Sequence, residues 1–262
     1  MKRATKAAPV PARPSLKARL ARGDCLDAVW LSLGSVAIAE MAARAEPGVV
    51  VIDMQHGLWD RLSLEAAVGL ASRAAPVLVR LADHSPVSIS HALDAGAEGV
   101  LAPLVETAAQ AAAIVSAARF PPAGTRSGGG VRPLTDFPSY VNEAAQTTLV
   151  GVMIETRAGL DQAAQIAAVP GVDLVFIGSG DLSLSLGEFP TPGAGHAAAC
   201  ERILQTCEAS SVACGVFTGS LDAAKRMRDK RYRMVVIAND IELVGAGVKR
   251  ATAQFHDGAK HG

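Results

Sequence analysis

The sequence predicts an α/β fold, a closed (β/α)8 barrel of the TIM type, on three observations. Eight short apolar runs alternate with eight Ala- and Leu-rich segments of helix length along 262 residues. The runs are apolar almost throughout, as parallel strands buried on both faces require. No GxGxxG follows the first run, so the rival open sheet lacks a dinucleotide fingerprint.

In chain order, residues 1–15 read as a flexible tail. Lys2, Arg3, Lys6 and Arg13 lie there, and Asp24 is the first acid of the chain. Such an acid-poor start can be a transit peptide. Few hydroxylated residues and no following apolar stretch favour a tail that runs into a first helix. The barrel domain is expected over residues 16–256 and a short polar tail over 257–262. Strands are expected at 28–33, at the Val- and Ile-rich run 49–52, at 77–81, at 99–101, at 149–154, at 174–177, at 213–217 and at 234–237. Helices are expected at 35–44, 62–73, 86–95, 107–118, 158–169, 197–210, 221–230 and 240–256. The last carries Ile241, Leu243, Val244, Val248 and Ala251, an apolar stripe at helical spacing. One connection breaks the rhythm: residues 120–146, opening Phe120-Pro121-Pro122-Ala123-Gly124-Thr125-Arg126-Ser127-Gly128-Gly129-Gly130, are long enough to suggest function.

Composition narrows the function classes. Half the residues are hydrophobic, 4% are aromatic and the formal net charge is zero, so no global charge points to nucleic acid or an anionic membrane. No apolar run reaches the length of a membrane span. Cys25, Cys200, Cys207 and Cys214 form no CxxC pair and read as buried free thiols of a cytoplasmic protein.

The chemistry is expected at strand ends. Glu155 closes the fifth run and Asp181 follows the sixth, with one helix between them. Right-handed crossovers make such strands parallel neighbours, so both acids face the loops where a barrel of this kind keeps its active site. Two carboxylates suit a hard divalent cation, Mg²⁺ or Mn²⁺, with Co²⁺ as a third candidate. Asp53 and His56 follow the second strand, where a histidine can move protons or simply sit at the surface. Asp53 could orient it or hold water on the cation. Arg80 ends a continuous apolar run, so its guanidinium needs either an anionic or carbonyl ligand or an internal carboxylate. Gly178-Ser179-Gly180-Asp181 is a tight turn into a helix start, where backbone N–H groups can face an anion. None of the seven lysines falls inside a strand, which leaves a carbonyl-processing barrel without a Schiff-base lysine.

Together these stretches resemble the HpcH/HpaI aldolase family, the class II, metal-dependent pyruvate aldolases such as 4-hydroxy-2-oxoheptanedioate aldolase. The resemblance rests on Val51-Ile52-Asp53-Met54-Gln55-His56-Gly57, Val77-Leu78-Val79-Arg80, Phe120-Pro121-Pro122-Ala123-Gly124-Thr125-Arg126, Met153-Ile154-Glu155-Thr156 and Phe176-Ile177-Gly178-Ser179-Gly180-Asp181-Leu182-Ser183, in matching order. It implies that Glu155 and Asp181 bind the metal. Arg80 would contact the keto oxygen of the donor, and the backbone at Gly180 and Asp181 would hold its carboxylate. His56 would transfer protons, Asp94 would partner it across a subunit boundary, and Asp53 would position water on the cation. Trp30 would line the pocket. Phe217, the 126–132 loop and a neighbouring subunit would contact the aldehyde. The implied assembly is a homo-oligomer, a hexamer built as a trimer of dimers, with the last helix exchanged between partners. The implied reaction is reversible aldol cleavage of a 4-hydroxy-2-oxo acid to pyruvate, or a related 2-oxo acid such as hydroxypyruvate, and an aldehyde. Oxaloacetate decarboxylation through the same enolate and a non-catalytic 2-oxo-acid-binding barrel are the alternatives. The chain departs from the family at Gln55, where many members have Glu, at Met153, where many have Gln, and at Ser179-Gly180, where Pro-Ala or Pro-Asn is usual. Ser179-Gly180 is expected to loosen the carboxylate-binding turn.

Overall fold

The computed structural model describes residues 13–258, so most of the expected N-terminal tail and the last four residues lie outside the described residues. Eight parallel strands close into one barrel in sequence order. They are β1 (Leu26–Leu31), β2 (Val49–Asp53), β3 (Val77–Arg80), β4 (Gly99–Ala102), β5 (Leu149–Ile154), β6 (Leu174–Ile177), β7 (Ala213–Val216) and β8 (Met234–Asn239). The helices are α1 (Leu16–Ala21), α2 (Val36–Arg44), α3 (Arg61–Ala71), α4 (Pro86–Asp94), α5 (Ala108–Ala118), α6 (Phe137–Thr147), α7 (Arg157–Asp161), α8 (Ala163–Ala167), α9 (Ser179–Leu186), α10 (Ala194–Ala209), α11 (Leu221–Asp229) and α12 (Asp240–Gly258).

The period of two along each strand divides the core into two parts. Val50, Ile52, Val79, Val100, Val152, Val175 and Ile177 face outward into the layer beneath the helices. Ala28, Trp30, Val49, Val51, Leu78, Leu101, Met153, Leu174 and Phe176 fill the barrel interior, and Leu16 and Leu20 of α1 join them. The same alternation carries Asp53, Arg80 and Glu155 to the inward positions at the C-terminal strand ends. Asp53 and Arg80 are register partners across β2 and β3. Large and small residues interdigitate inside: a Cβ on Gly215 would come within 2.6 Å of the Phe176 ring.

Three expectations are corrected. The segment 158–169 is two short helices, α7 and α8, meeting at Gln162. The long connection is not all loop: a 3-10 turn, Pro133–Asp136, leads into α6, whose first turn accepts Pro138 because its N–H would be unpaired there anyway. That connection also joins the end of α5 to the start of β5, so it belongs to the face opposite the strand C-termini. The first strand begins and ends two residues earlier than expected, because Leu26 pairs with Met234 while the backbone N–H groups of Ser32 and Leu33 turn to the Asp240 carboxylate.

The final helix does not cover its own barrel. Along residues 241–256 every residue except Gly247 is exposed, including Ile241, Leu243, Val244, Val248 and Phe255. Beside β8 and β1 lies a groove of about 340 Å³, with Cys25, Leu221, Ala224, Val235 and Ile237 as its apolar lining and Asp27, Lys225 and Arg228 as its charged lining. Among the described residues no helix is long and apolar enough to cross a membrane.

Interior packing is tight enough to test. Gly215→Val drives a side chain into Phe176, and overpacking of this kind costs about 1–3 kcal/mol. Equilibrium denaturation should show that loss; a variant as stable as the parent would mean the interior has room.

Candidate active site

Asp53 is 1% exposed and gathers the mouth of the barrel around its carboxylate. Its Oδ1 accepts from Arg80 Nε at 2.7 Å and from the backbone N–H groups of Gln55 (3.0 Å) and His56 (3.2 Å). Its Oδ2 accepts from Arg80 Nη2, from Trp30 Nε1 at 3.2 Å and from Ser32 Oγ at 3.2 Å. Burial pushes the Asp53 carboxyl up, but the Arg80 guanidinium, assisted by the His56 N–H and Trp30, outweighs it and holds the carboxyl below its usual range. Arg80 is thereby gripped along one edge of its fork. Among the described residues its Nη1 donates to no protein atom. The guanidinium also stands 5.0 Å from the centre of the Trp30 ring, and Trp30 in turn packs on Phe176 (5.7 Å) and edge-on against Phe217 (5.4 Å).

Glu155 is the opposite case. It is also 1% exposed, yet its Oε1 accepts one hydrogen bond, from Leu104 N at 2.6 Å, and its buried Oε2 has no donor among the described residues. Burial raises its carboxyl above the usual range; the Leu104 N–H opposes this and the nearby Asp181 charge adds to it. Gly178 makes the space: a Cβ there would fall inside contact distance of Oε2. A buried carboxylate oxygen without a donor, beside a second carboxylate, fits a divalent cation whose other ligands are water and substrate. Among the described residues no group of three or more His, Cys, Asp or Glu forms a closed metal cluster.

Asp181 sits in the first turn of α9, whose cap is Gly178 with no side-chain hydrogen bond. The first intrahelical bond runs from Leu182 N to Gly178 O at 2.9 Å, so the N–H groups of Ser179, Gly180 and Asp181 have no helical partner. Free N–H groups at a helix N-terminus of this kind are able to receive an anion. Ser179 and Gly180 are the first two residues of α9. Both residues are helical, Ser183 Oγ donates to Gly180 O at 2.7 Å, and Ser179 is held by His196. Nothing in the sequence spacing of His196 places it over Ser179.

The remaining expected residues are less gathered. His56 is exposed, and its backbone, rather than its ring, meets Asp53. Asp94 ends α4. That helix leaves the C-terminal end of β3 and runs back, so Asp94 and His56 lie toward opposite ends of one chain's barrel. Asp94 accepts from Arg126 at 2.8 Å. Arg126 has a fully buried side chain, stacked 4.6 Å from the Phe120 ring centre and bonded to Tyr140 Oη at 2.9 Å. Within one chain neither Arg126 nor the 126–132 loop reaches the mouth.

The two acids make opposite contributions to stability. Asp53, with a lowered value, stabilises the fold above the ordinary carboxylate range, and that contribution is lost as pH falls through the lowered value. Glu155, with a raised value, destabilises the metal-free fold fully above the raised value and not at all below the ordinary one. Glu155→Gln should therefore raise the melting temperature of chelated protein at neutral pH, by about 2–4 °C for each kcal/mol relieved at this chain length, and the gain should vanish on acidification. Gly178→Ala should displace Glu155 and weaken Mn²⁺ binding by calorimetry, leaving the Asp53–Arg80 pair in place. Unchanged melting in the first variant or unchanged affinity in the second would contradict this account of the pocket.

Comparison with known proteins places the chain in a family. The family model described as HpcH/HpaI aldolase/citrate lyase matches residues 27–246. The chain is 35% identical over 237 residues to a hydroxypyruvate/pyruvate aldolase of Paraburkholderia phytofirmans, covering 86% of this chain and 91% of that one. It is 36% identical over 248 residues to a 4-hydroxy-2-oxovalerate aldolase of Rhodococcus jostii, covering 92% and 95%. An HpcH/HpaI aldolase/citrate lyase family protein from Burkholderia cenocepacia superposes with a TM-score of 0.87 at 32% identity, over 92% of this chain and 98% of that one. The chain belongs to the HpcH/HpaI aldolase family, the carbon–carbon lyases known as class II pyruvate aldolases.

Proposed function

We propose that this enzyme catalyses reversible aldol cleavage of 4-hydroxy-2-oxo acids to pyruvate or hydroxypyruvate and an aldehyde. The observation that carries the reading is the unpartnered Glu155 oxygen beside Asp181, at the same mouth as the Arg80 fork and the open end of α9. A divalent ion, Mg²⁺, Mn²⁺ or Co²⁺, held by Glu155 and Asp181 would supply Lewis-acid polarisation of the donor's keto and carboxylate oxygens.

The protein's own residues do the rest. The N–H groups of Gly180 and Asp181 receive the donor carboxylate. Arg80, fixed by Asp53, turns Nη1 to the keto oxygen, where negative charge grows as the bond between C3 and C4 breaks and the enolate forms. A donor already oriented by a buried pair needs no reorganisation at that moment. Trp30 and Phe217 form the aromatic wall against which the aldehyde leaves. His56 carries the proton between solvent and the reacting atoms.

His56 has its acid partner in another copy of the chain. Asp94 lies at the wrong end of its own barrel, is partly exposed, and is held rigid by Arg126. The bare apolar stripe of α12 and the groove beside β8 and β1 fit the same assembly, in which the last helix of one chain covers the barrel of the next. The assembly is a hexamer, a trimer of dimers.

Exchange of pyruvate methyl protons in deuterated water reports enolate formation without an aldehyde. Arg80→Ala should lower the exchange rate by roughly 10²–10³. It also strands Asp53, and breaking a buried pair costs about 3–5 kcal/mol, so Arg80→Lys is the cleaner variant: it keeps a charge yet rescues poorly, because an ammonium lacks the planar fork. Exchange at the parent rate in Arg80→Lys would make the arginine merely structural. Mixing His56→Ala and Asp94→Ala chains after dissociation should restore part of the cleavage activity with a 4-hydroxy-2-oxo acid. Mixtures no more active than either variant would place both residues in the same chain's site, or neither in any.

A further inference from the structure

The helix end that receives the donor carboxylate has no cap of its own. Gly178 cannot carry a capping side chain, because any Cβ there meets Glu155. Neither Ser179 nor Gly180 fixes its backbone as proline would. The turn is held from outside, by the first turn of α10. His196 Nε2 lies 3.2 Å from Ser179 Oγ and 3.2 Å from Ser179 O.

His196 is itself anchored. Glu188, just beyond α9, accepts from Gly193 N at 2.8 Å and His196 N at 2.9 Å, and so caps α10 across the loop. Those backbone N–H groups hold the Glu188 carboxyl below its usual range. A Cβ on Gly195 would meet the Glu188 carboxylate where it now lies. One helical turn on, Cys200 Sγ lies 3.6 Å from Nε2. Burial pushes this thiol up to about 11, so it backs the ring as a packed thiol and not as a charge. The contacts form a continuous line: Glu188 fixes α10, α10 fixes His196, and His196 fixes the residue that precedes Gly180 and Asp181.

We infer that His196 is a positioning residue for donor binding: by clamping Ser179 it aims the free N–H groups of α9 at the carboxylate of the 2-oxo acid. Its ring meets both the hydroxyl and the backbone carbonyl of Ser179, and it acts through that residue. The inference rests on the aldolase reading above and adds to it a residue that sets donor affinity.

The test uses pyruvate methyl exchange in the full-length protein with saturating Mn²⁺, measured against pyruvate concentration. Losing a hydrogen bond of ordinary strength corresponds to about a fivefold effect, so His196→Ala should raise KM for pyruvate about fivefold and change kcat far less. His196→Gln, whose amide can reach the same position, should recover most of the loss. Proline suits the first position of a helix, so Ser179→Pro fixes that backbone independently; in this background the KM penalty of His196→Ala should shrink below threefold. Hydrogen exchange of the 178–186 peptide should quicken in His196→Ala and not in His196→Gln. If the parent exchanges but His196→Ala leaves KM unchanged, or the penalty is equal in both backgrounds, the inference falls and the aldolase reading stands. If the parent itself shows no exchange, the aldolase reading falls and takes this inference with it.

Discussion

The buried pair of Asp53 and Arg80 is the interaction on which the barrel mouth depends. One carboxylate accepts from the guanidinium fork, the Trp30 indole, the Ser32 hydroxyl and two backbone N–H groups of the following loop. Five groups, from β1 and the residue after it, from β3 and from the loop after β2, are thus fixed on the end of β2. The pair is safe in a low-dielectric interior because nearly every lone pair of the acid is used. It also holds Arg80 to a single orientation, and that orientation leaves one N–H edge for a ligand.

Against this satisfied acid stands Glu155, equally buried and left with an oxygen that no donor among the described residues serves. The contrast gives the site its polarity. One carboxylate has its partner built into the fold and works by holding a cation of the protein in place. The other has an oxygen without a donor among the described residues, and in the proposed function it takes a cation from solution. Burying that oxygen without a donor costs the fold stability, and the absence of a Cβ at Gly178 leaves it room.

Much of this was legible in the sequence, and the physics explains which parts. The eight strands could be read because each is a short apolar run, and their inward acids could be read because a period of two ties Val49, Val51 and Asp53 to one side. The bounds were off where tertiary bonds override the local pattern, as at Ser32 and Leu33, whose N–H groups leave the strand for Asp240. The break at Gln162 and the helix within the long connection depend on packing and capping that an Ala-rich or Gly-rich run does not reveal. The Asp53–Arg80 pair was open to either reading, since a strand-end arginine alone does not say whether its partner is internal. His196 was invisible, because its meaning lies in a contact with Ser179, on another helix, which no spacing encodes. The family resemblance supplied roles for His56 and Asp94 that a single chain cannot bring together.

The central claim is that Glu155 and Asp181 are built to hold a divalent cation without which the donor is not enolised. The most direct measurement is the loss and return of pyruvate methyl exchange when one protein sample is stripped with chelator and then given Mn²⁺. The account predicts no exchange above the buffer rate in the stripped sample and full recovery on addition of the ion. Exchange at the full rate in thoroughly chelated protein would contradict it.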